Sequence, residues 1–201
     1  MGTRSSQLSE FLARAAAAIL PGADALPGAG PAARRIFAAM AAEGAPGHVE
    51  SQSLPVCDRL GEAYALAAKG PEPVRALAQA IAALSPDLRW QRRKGAEKEG
   101  ALFFDGHANA LVVGPGGLEE RSDVQIGISF MVPRVRYPDH SHPPEEVYVS
   151  LASGEWRNDI EDWHTPGPGG LVYNPPAITH AMRTGSEQLL AVWCLRVGNS
   201  Q

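Results

Sequence analysis

Residues 137–148 read YPDHSHPPEEVY. Two histidines, His140 and His142, stand one residue apart, and Glu146 follows four after the second. Imidazole nitrogen and carboxylate oxygen together suit zinc, iron, manganese, nickel or cobalt. In an extended chain, residues two apart project to the same side, which places His140 and His142 on one face. Pro143-Pro144 then bends the chain, and Glu146, Tyr148 and Ser150 share a face again. The alternate positions Val147, Val149 and Leu151 are uniformly apolar. Such a strand is either half-buried with a solvated polar face, or a barrel wall whose polar side lines a site while its apolar side packs against helices.

Further along, residues 170–180 read GLVYNPPAITH: a short strand, a proline turn, and a histidine entering another strand. Catalytic metal sites commonly use three protein ligands and leave a position for water or substrate. His142, Glu146 and His180 are the candidates for those three. A lone histidine at 180 would more often be structural; beside His-x-His-x3-Glu, metal binding is the better reading.

Outward from these segments the chain divides into two patterns. From about residue 100 the period is two: 110–113, 124–131, 147–151, 170–173 and 189–197 are short, rich in β-branched and aromatic residues, and separated by Gly and Pro turns. Strands this close in sequence suggest an antiparallel sandwich or barrel. Before about residue 95, apolar residues recur at helical steps: Leu8, Phe11, Leu12, Ala15 and Ile19, then Ala33, Ile36, Phe37 and Met40. Ser6 is a plausible cap for the first helix, and Pro21-Gly22 and Pro27-Gly28 close it. Two more helical segments fit near 54–68 and 73–84. The expected organisation is an α-helical extension over 1–95 and a β-barrel with the metal site over 96–201. The charged boundary Arg89–Gly100 (RWQRRKGAEKEG) reads as a loop or a helix end.

Composition removes several classes of function. The 201 residues carry a formal net charge of −4, with Lys and Arg scattered, so no basic face invites nucleic acid. The run 11–20 (FLARAAAAIL) is interrupted by Arg14 and is short for a secretory core. No stretch approaches the roughly 18–20 apolar residues of a membrane span, and a cytoplasmic protein is expected. Cys57 and Cys194, far apart in sequence, read as free thiols.

The two segments resemble the paired motifs of the cupin superfamily, H-x-H-x(3,4)-E with a following glycine, and P-x-G-x-x-H. The first corresponds here to His140, His142, Glu146 and Gly154, the second to Pro175, Ala177 and His180. The departures are specific. Arg134 stands where the first motif opens with Gly, Gly154 comes one residue late, Ala177 replaces the second motif's Gly, and Thr184 its closing Asn. Glycines govern turns, so these changes bear on loop geometry more than on metal binding. With YPDHSHPPEEVYVSLASGEW and the helical extension, the chain is similar to the cupin dimethylsulfoniopropionate lyases of marine bacteria, of the DddQ type.

That resemblance implies a mainly β, cupin-type antiparallel β-barrel (double-stranded β-helix) with an N-terminal helical extension. It implies an enzyme, a carbon–sulfur lyase that cleaves dimethylsulfoniopropionate to dimethyl sulfide and acrylate. It implies one divalent ion (Zn, Fe or Mn) on His142, Glu146 and His180. Tyr148 becomes a ligand or near-ligand able to act as base, with Tyr137 and His140 lining the pocket. The partner is a small sulfonium carboxylate, with no nucleic acid and no membrane, and the chain a monomer or homodimer. A dioxygenase or isomerase, or a non-catalytic small-ligand cupin, could use the same ligands. Aromatic faces attract sulfonium cations; Tyr137 is the strongest candidate, Trp163 a lid or surface anchor, and Trp193 more often core. His48, His107 and His164 lack ligand spacing and read as surface or structural.

Overall fold

The computed structural model describes residues 4–198. Helix α1 (Ser6–Ala23) is capped by Ser5, whose hydroxyl accepts from Leu8 N at 3.2 Å. The cap is therefore one residue earlier than the sequence reading placed it. Leu8, Phe11, Leu12, Ala15 and Ile19 form its buried stripe. The helix continues through Pro21 to Ala23. The ring lies on an exposed side of the last turn, where only one backbone bond is lost. Helix α2 (Ala29–Ala39) follows, then β1 (Ala45–Pro46), a short 3-10 turn over Pro55–Arg59, α3 (Leu60–Ala67) and α4 (Glu72–Leu84). The charged boundary is more structured than a loop. It holds β2 (Trp90–Gln91), a 3-10 turn at Ala96–Lys98, and the approach to α5 (Ala101–Gly106).

The remaining strands are β3 (His107–Val113), β4 (Glu119–Glu120), β5 (Val124–Met131), β6 (Arg136–His140), β7 (Glu146–Ser150), β8 (Glu155–Asn158), β9 (Leu171–Asn174), β10 (His180–Arg183) and β11 (Leu189–Arg196). The larger sheet has the order β1-β4-β3-β5-β11-β7-β9, with β2 also paired to β3; the smaller is β6-β10-β8. The structure is thus the expected mainly β, cupin-type fold with helices at the N-terminal end. Its walls are two sheets rather than one continuous hydrogen-bonded ring.

Alternation along the central strands separates two cores. Ala108, Ala110, Ile126, Ile128, Phe130, Val147, Val149, Val192 and Cys194 pack with the helices' buried stripe. Tyr148, Val172, Leu189 and Ala191 face the other way and cluster with Tyr137, Trp156 and Met182 of the small sheet. All five residues of β7 are buried, so its polar face is not solvated: it lines the space between the sheets. The helices cover one face of the large sheet and leave the other to the site. Cys57 and Cys194 are free and buried. No described helix is long and apolar enough to cross a membrane.

Candidate metal centre

Two strands and the bend before one of them converge on one point. Glu146 opens β7, His180 opens β10, and His142 sits on the bend between β6 and β7. One ligand atom from each lies within 4.8 Å of the others. His142 Nε2 is 3.3 Å and His180 Nε2 is 3.2 Å from the same oxygen, Glu146 Oε2.

The local chain fixes the direction of each imidazole. Nδ1 of His142 meets the carbonyl of Pro144 at 2.9 Å, and Nδ1 of His180 that of Ile178 at 3.1 Å. A carbonyl only accepts, so each Nδ1 carries the proton and each Nε2 presents a lone pair inward. Two lone pairs facing one carboxylate repel unless a cation or a proton lies between them. His180 Nε2 is buried without a hydrogen-bond partner, in line with that geometry. The donor set and its orientation fit a divalent metal.

The ionisation states carry the same message. Burial opposes the charge on Glu146, but the neighbouring imidazoles of His142 and His180 outweigh it and bring its pKa down to about 2. Burial alone would lower His142, and the Glu146 carboxylate more than reverses this, so its pKa is raised.

Around this point the structure places the other expected residues. Tyr148 is on the same face of β7 as Glu146 and is buried; burial first, then the Glu146 charge, hold its pKa well above 10. His140 lies beside His180, with ring centroids 4.1 Å apart, and its Nδ1 meets Pro138 O at 2.9 Å. Burial, then the charge of His180, lower its pKa to about 4. His140 and His142 do not share a strand face, because β6 ends at His140. Tyr137 and His140 come together instead, at 4.9 Å between rings. The register between β6 and β10 shifts there, and a bulge at Pro138-Asp139 turns residues three apart to one side. Burial pushes the Tyr137 hydroxyl up to about 12, while Asn109 donates to it at 3.3 Å.

The two tryptophans among the aromatic candidates have different surroundings. Trp163 has Arg183 over its ring at 4.2 Å and Arg157 at 5.6 Å, which makes it a surface anchor already occupied by cations. Trp193 stands directly across the ladder from Tyr148, on the inner face and partly open. Gly127, its partner on β5, makes room for the indole. His107 is wholly buried and structural: its Nδ1 meets Phe103 O, its ring stacks on Phe103 at 3.8 Å, and Nε2 accepts from Arg93 N at 2.9 Å.

Sequence reasoning missed three groups. Asn174 donates to Glu146 Oε2 at 3.3 Å and is itself met by Asn158; its place just before Pro175-Pro176, opposite Glu146 in register, was the available signal. Trp156 carries a buried indole N–H with no partner. Arg93, hidden in the charged boundary, has a buried Nη1 with no partner.

Fold and donor set together define a cupin-type protein with a candidate metal site. The dimethylsulfoniopropionate lyase family matches residues 31–191, and the chain belongs to that family. It is 32% identical over 132 residues to a dimethylsulfoniopropionate lyase named DddL of Cereibacter sphaeroides, covering 65% of this chain and 54% of that protein. It is 31% identical over 120 residues to the dimethylsulfoniopropionate lyase DddQ of Ruegeria pomeroyi, covering 58% of this chain and 59% of that one. These matches thus span little more than half the length of the curated relatives. Among solved structures, the fold is similar to that of the DMSP lyases RdDddP and RnDddQII, with a TM-score of 0.71, 21% identity, and 96% and 94% of the two chains covered. It is also similar to DddQ of Ruegeria pomeroyi, with a TM-score of 0.69, 24% identity, and 97% and 93% covered.

Proposed function

We propose that this chain is a metal-dependent lyase that cleaves dimethylsulfoniopropionate to dimethyl sulfide and acrylate, with Tyr148 as the base. The observation that carries this reading is the convergence of His142 Nε2, His180 Nε2 and Glu146 Oε2 beside a buried tyrosine, in a chain of this family. A divalent ion held by the three would polarise the substrate carboxylate and offset the Glu146 charge that raises the pKa of Tyr148.

The bound ion would favour the Tyr148 phenolate, and Oη, having first lost its own proton to solvent, would take the proton from the carbon next to the carboxylate. The electrons of that C–H bond form the carbon–carbon double bond, and the C–S pair leaves on sulfur. Dimethyl sulfide departs neutral, so the site needs no acid for it. Asn174 holds the Glu146 carboxylate in place. Trp193, on the inner face beside Tyr148, offers the sulfonium an aromatic surface worth roughly 0.5–2 kcal/mol. His140, whose low pKa keeps it neutral at pH 7, adds no positive charge to repel that sulfonium.

The test is headspace gas chromatography over purified protein given dimethylsulfoniopropionate and, in turn, Zn2+, Mn2+ or Fe2+. Dimethyl sulfide released with metal and lost on chelation supports the reading and ranks the ions. No release with any of them would sink it and direct attention to oxygen uptake. Tyr148→Phe should remove most of the release while the protein keeps its metal. Substantial activity in that variant would take the base role away from Tyr148, and loss of metal would make the residue a ligand.

A further inference from the structure

The two arginines at the boundary are used differently. Arg92 donates to Phe104 O at 2.7 Å, pairs with Asp105 at 3.3 Å and lies over the Phe104 ring at 4.0 Å. Its donors are committed to its own neighbourhood. Arg93 has its backbone pinned by His107 Nε2, and its guanidinium lies over the Tyr137 ring at 5.6 Å. Its Nη1 is buried and without a hydrogen-bond partner, and among the described residues no ion pair involves it. A buried guanidinium N–H that lacks a partner is an expensive arrangement unless something arrives to accept from it.

The surroundings of this group narrow what that is. Tyr137 lies 4.9 Å from His140, and His140 lies 4.1 Å from His180, so the chain of contacts leads from Arg93 to the metal cluster. The edge of a guanidinium matches the two oxygens of a carboxylate, and Nη1 of Arg93 has no partner on it. A sulfonium would be repelled from the same place.

We propose that Arg93 holds the carboxylate of the substrate on the Tyr137–His140 side of the site, and so fixes the sense in which a sulfonium carboxylate binds. The sulfonium end is thereby directed away from Arg93, towards Tyr148 and Trp193. This rests on the lyase reading for the identity of the substrate, but the anion preference stands on Arg93 itself. Arg93 also meets the carboxylate of the acrylate product.

The test uses metal-loaded wild type, Arg93→Gln and Arg93→Lys. Calorimetry measures binding of propionate and of trimethylsulfonium, metal content is measured alongside, and dimethyl sulfide release gives KM and kcat. Arg93→Gln should weaken propionate by about tenfold or more, raise KM more than it lowers kcat, and leave metal content and trimethylsulfonium binding unchanged. Arg93→Lys, which keeps the charge but not the fork, should fall between. Should Arg93→Gln fail to fold, the lysine variant decides: propionate bound as in the wild type overturns the proposal. Unchanged propionate affinity in a folded, metal-bound Arg93→Gln also overturns it, even if the wild type releases dimethyl sulfide. Loss of propionate affinity in a protein that releases no dimethyl sulfide keeps the anchor and removes the lyase.

Discussion

Arg134 and Ala177 are the two non-glycine residues with positive φ among those described, at 63° and 60°. They occupy the two positions where the cupin motifs use glycine. An L-residue therefore bears the strain of a left-handed conformation at each, which costs about 1 kcal/mol or more. Thr184, in place of the second motif's Asn, keeps the first turn closed: its hydroxyl accepts from Val135 N at 2.9 Å and lies 2.7 Å from Val132 O. Ala177 N donates to His142 O at 3.0 Å, so its turn touches a donor of the metal cluster. Ala177→Gly is expected to stabilise the protein by about 1 kcal/mol, raising the unfolding midpoint by roughly 2–4 °C; a thermal melt that stays put or falls would show that the turn is not strained. At this scale His142 and Glu146 were legible from their spacing and His180 from its place after a proline turn, while the fold is what brings the three together. Arg93 was not, since nothing in RWQRRKG distinguishes a guanidinium with neighbours to pair with from one without.

Strand β5 illustrates what one element must satisfy at once. Its Ile126, Ile128 and Phe130 fill the core beneath the helices, while Gly127 faces the site. A Cβ at Gly127 would overlap the Trp193 ring and approach Ala110 O at 2.7 Å, so neither the indole nor the backbone on the other side can give way freely. Gly127→Ala should therefore cost roughly 1–3 kcal/mol. The loss should shrink, though the Ala110 O contact keeps part of it, when the same change is made in a Trp193→Ala background, as chemical denaturation of the four variants would show. Equal losses in both backgrounds would mean that the indole is not what Gly127 accommodates. The long strands β3, β5 and β11 were readable from alternation and β-branched content. The small sheet was less so, with β10 expected only as the strand that His180 enters: β6, β8 and β10 have four or five residues each and include Pro138, three arginines and Asn158. They are strands because of what they face, and local preference does not encode that.

Across the molecule, the donors and the helices meet through one sheet. Glu145, next to Glu146, accepts from Tyr173 at 2.8 Å and pairs with Arg35 of α2, so the helical layer is fastened to the strand that carries the metal carboxylate. The assembled site should bind metal in a pH-dependent way with a definite sign. Metal takes the neutral imidazole of His142, and Glu146 raises that group's pKa above the ordinary 6.5. Proton competition therefore begins at higher pH than for a free histidine, and affinity should fall by up to about tenfold per unit as pH drops through that range. Glu146, with a pKa of about 2, stays ionised throughout. Chelator competition between about pH 8 and pH 5 reads this out, and a flat profile would exclude His142 as a ligand. Three imidazoles, those of His140, His142 and His180, are each tied to a carbonyl two residues away along their own chain. Such short tethers leave the cage little freedom to reshape itself around whichever ion enters. An unyielding cage ranks ions by size and coordination habit, so its order of preference should depart from the usual rise towards copper.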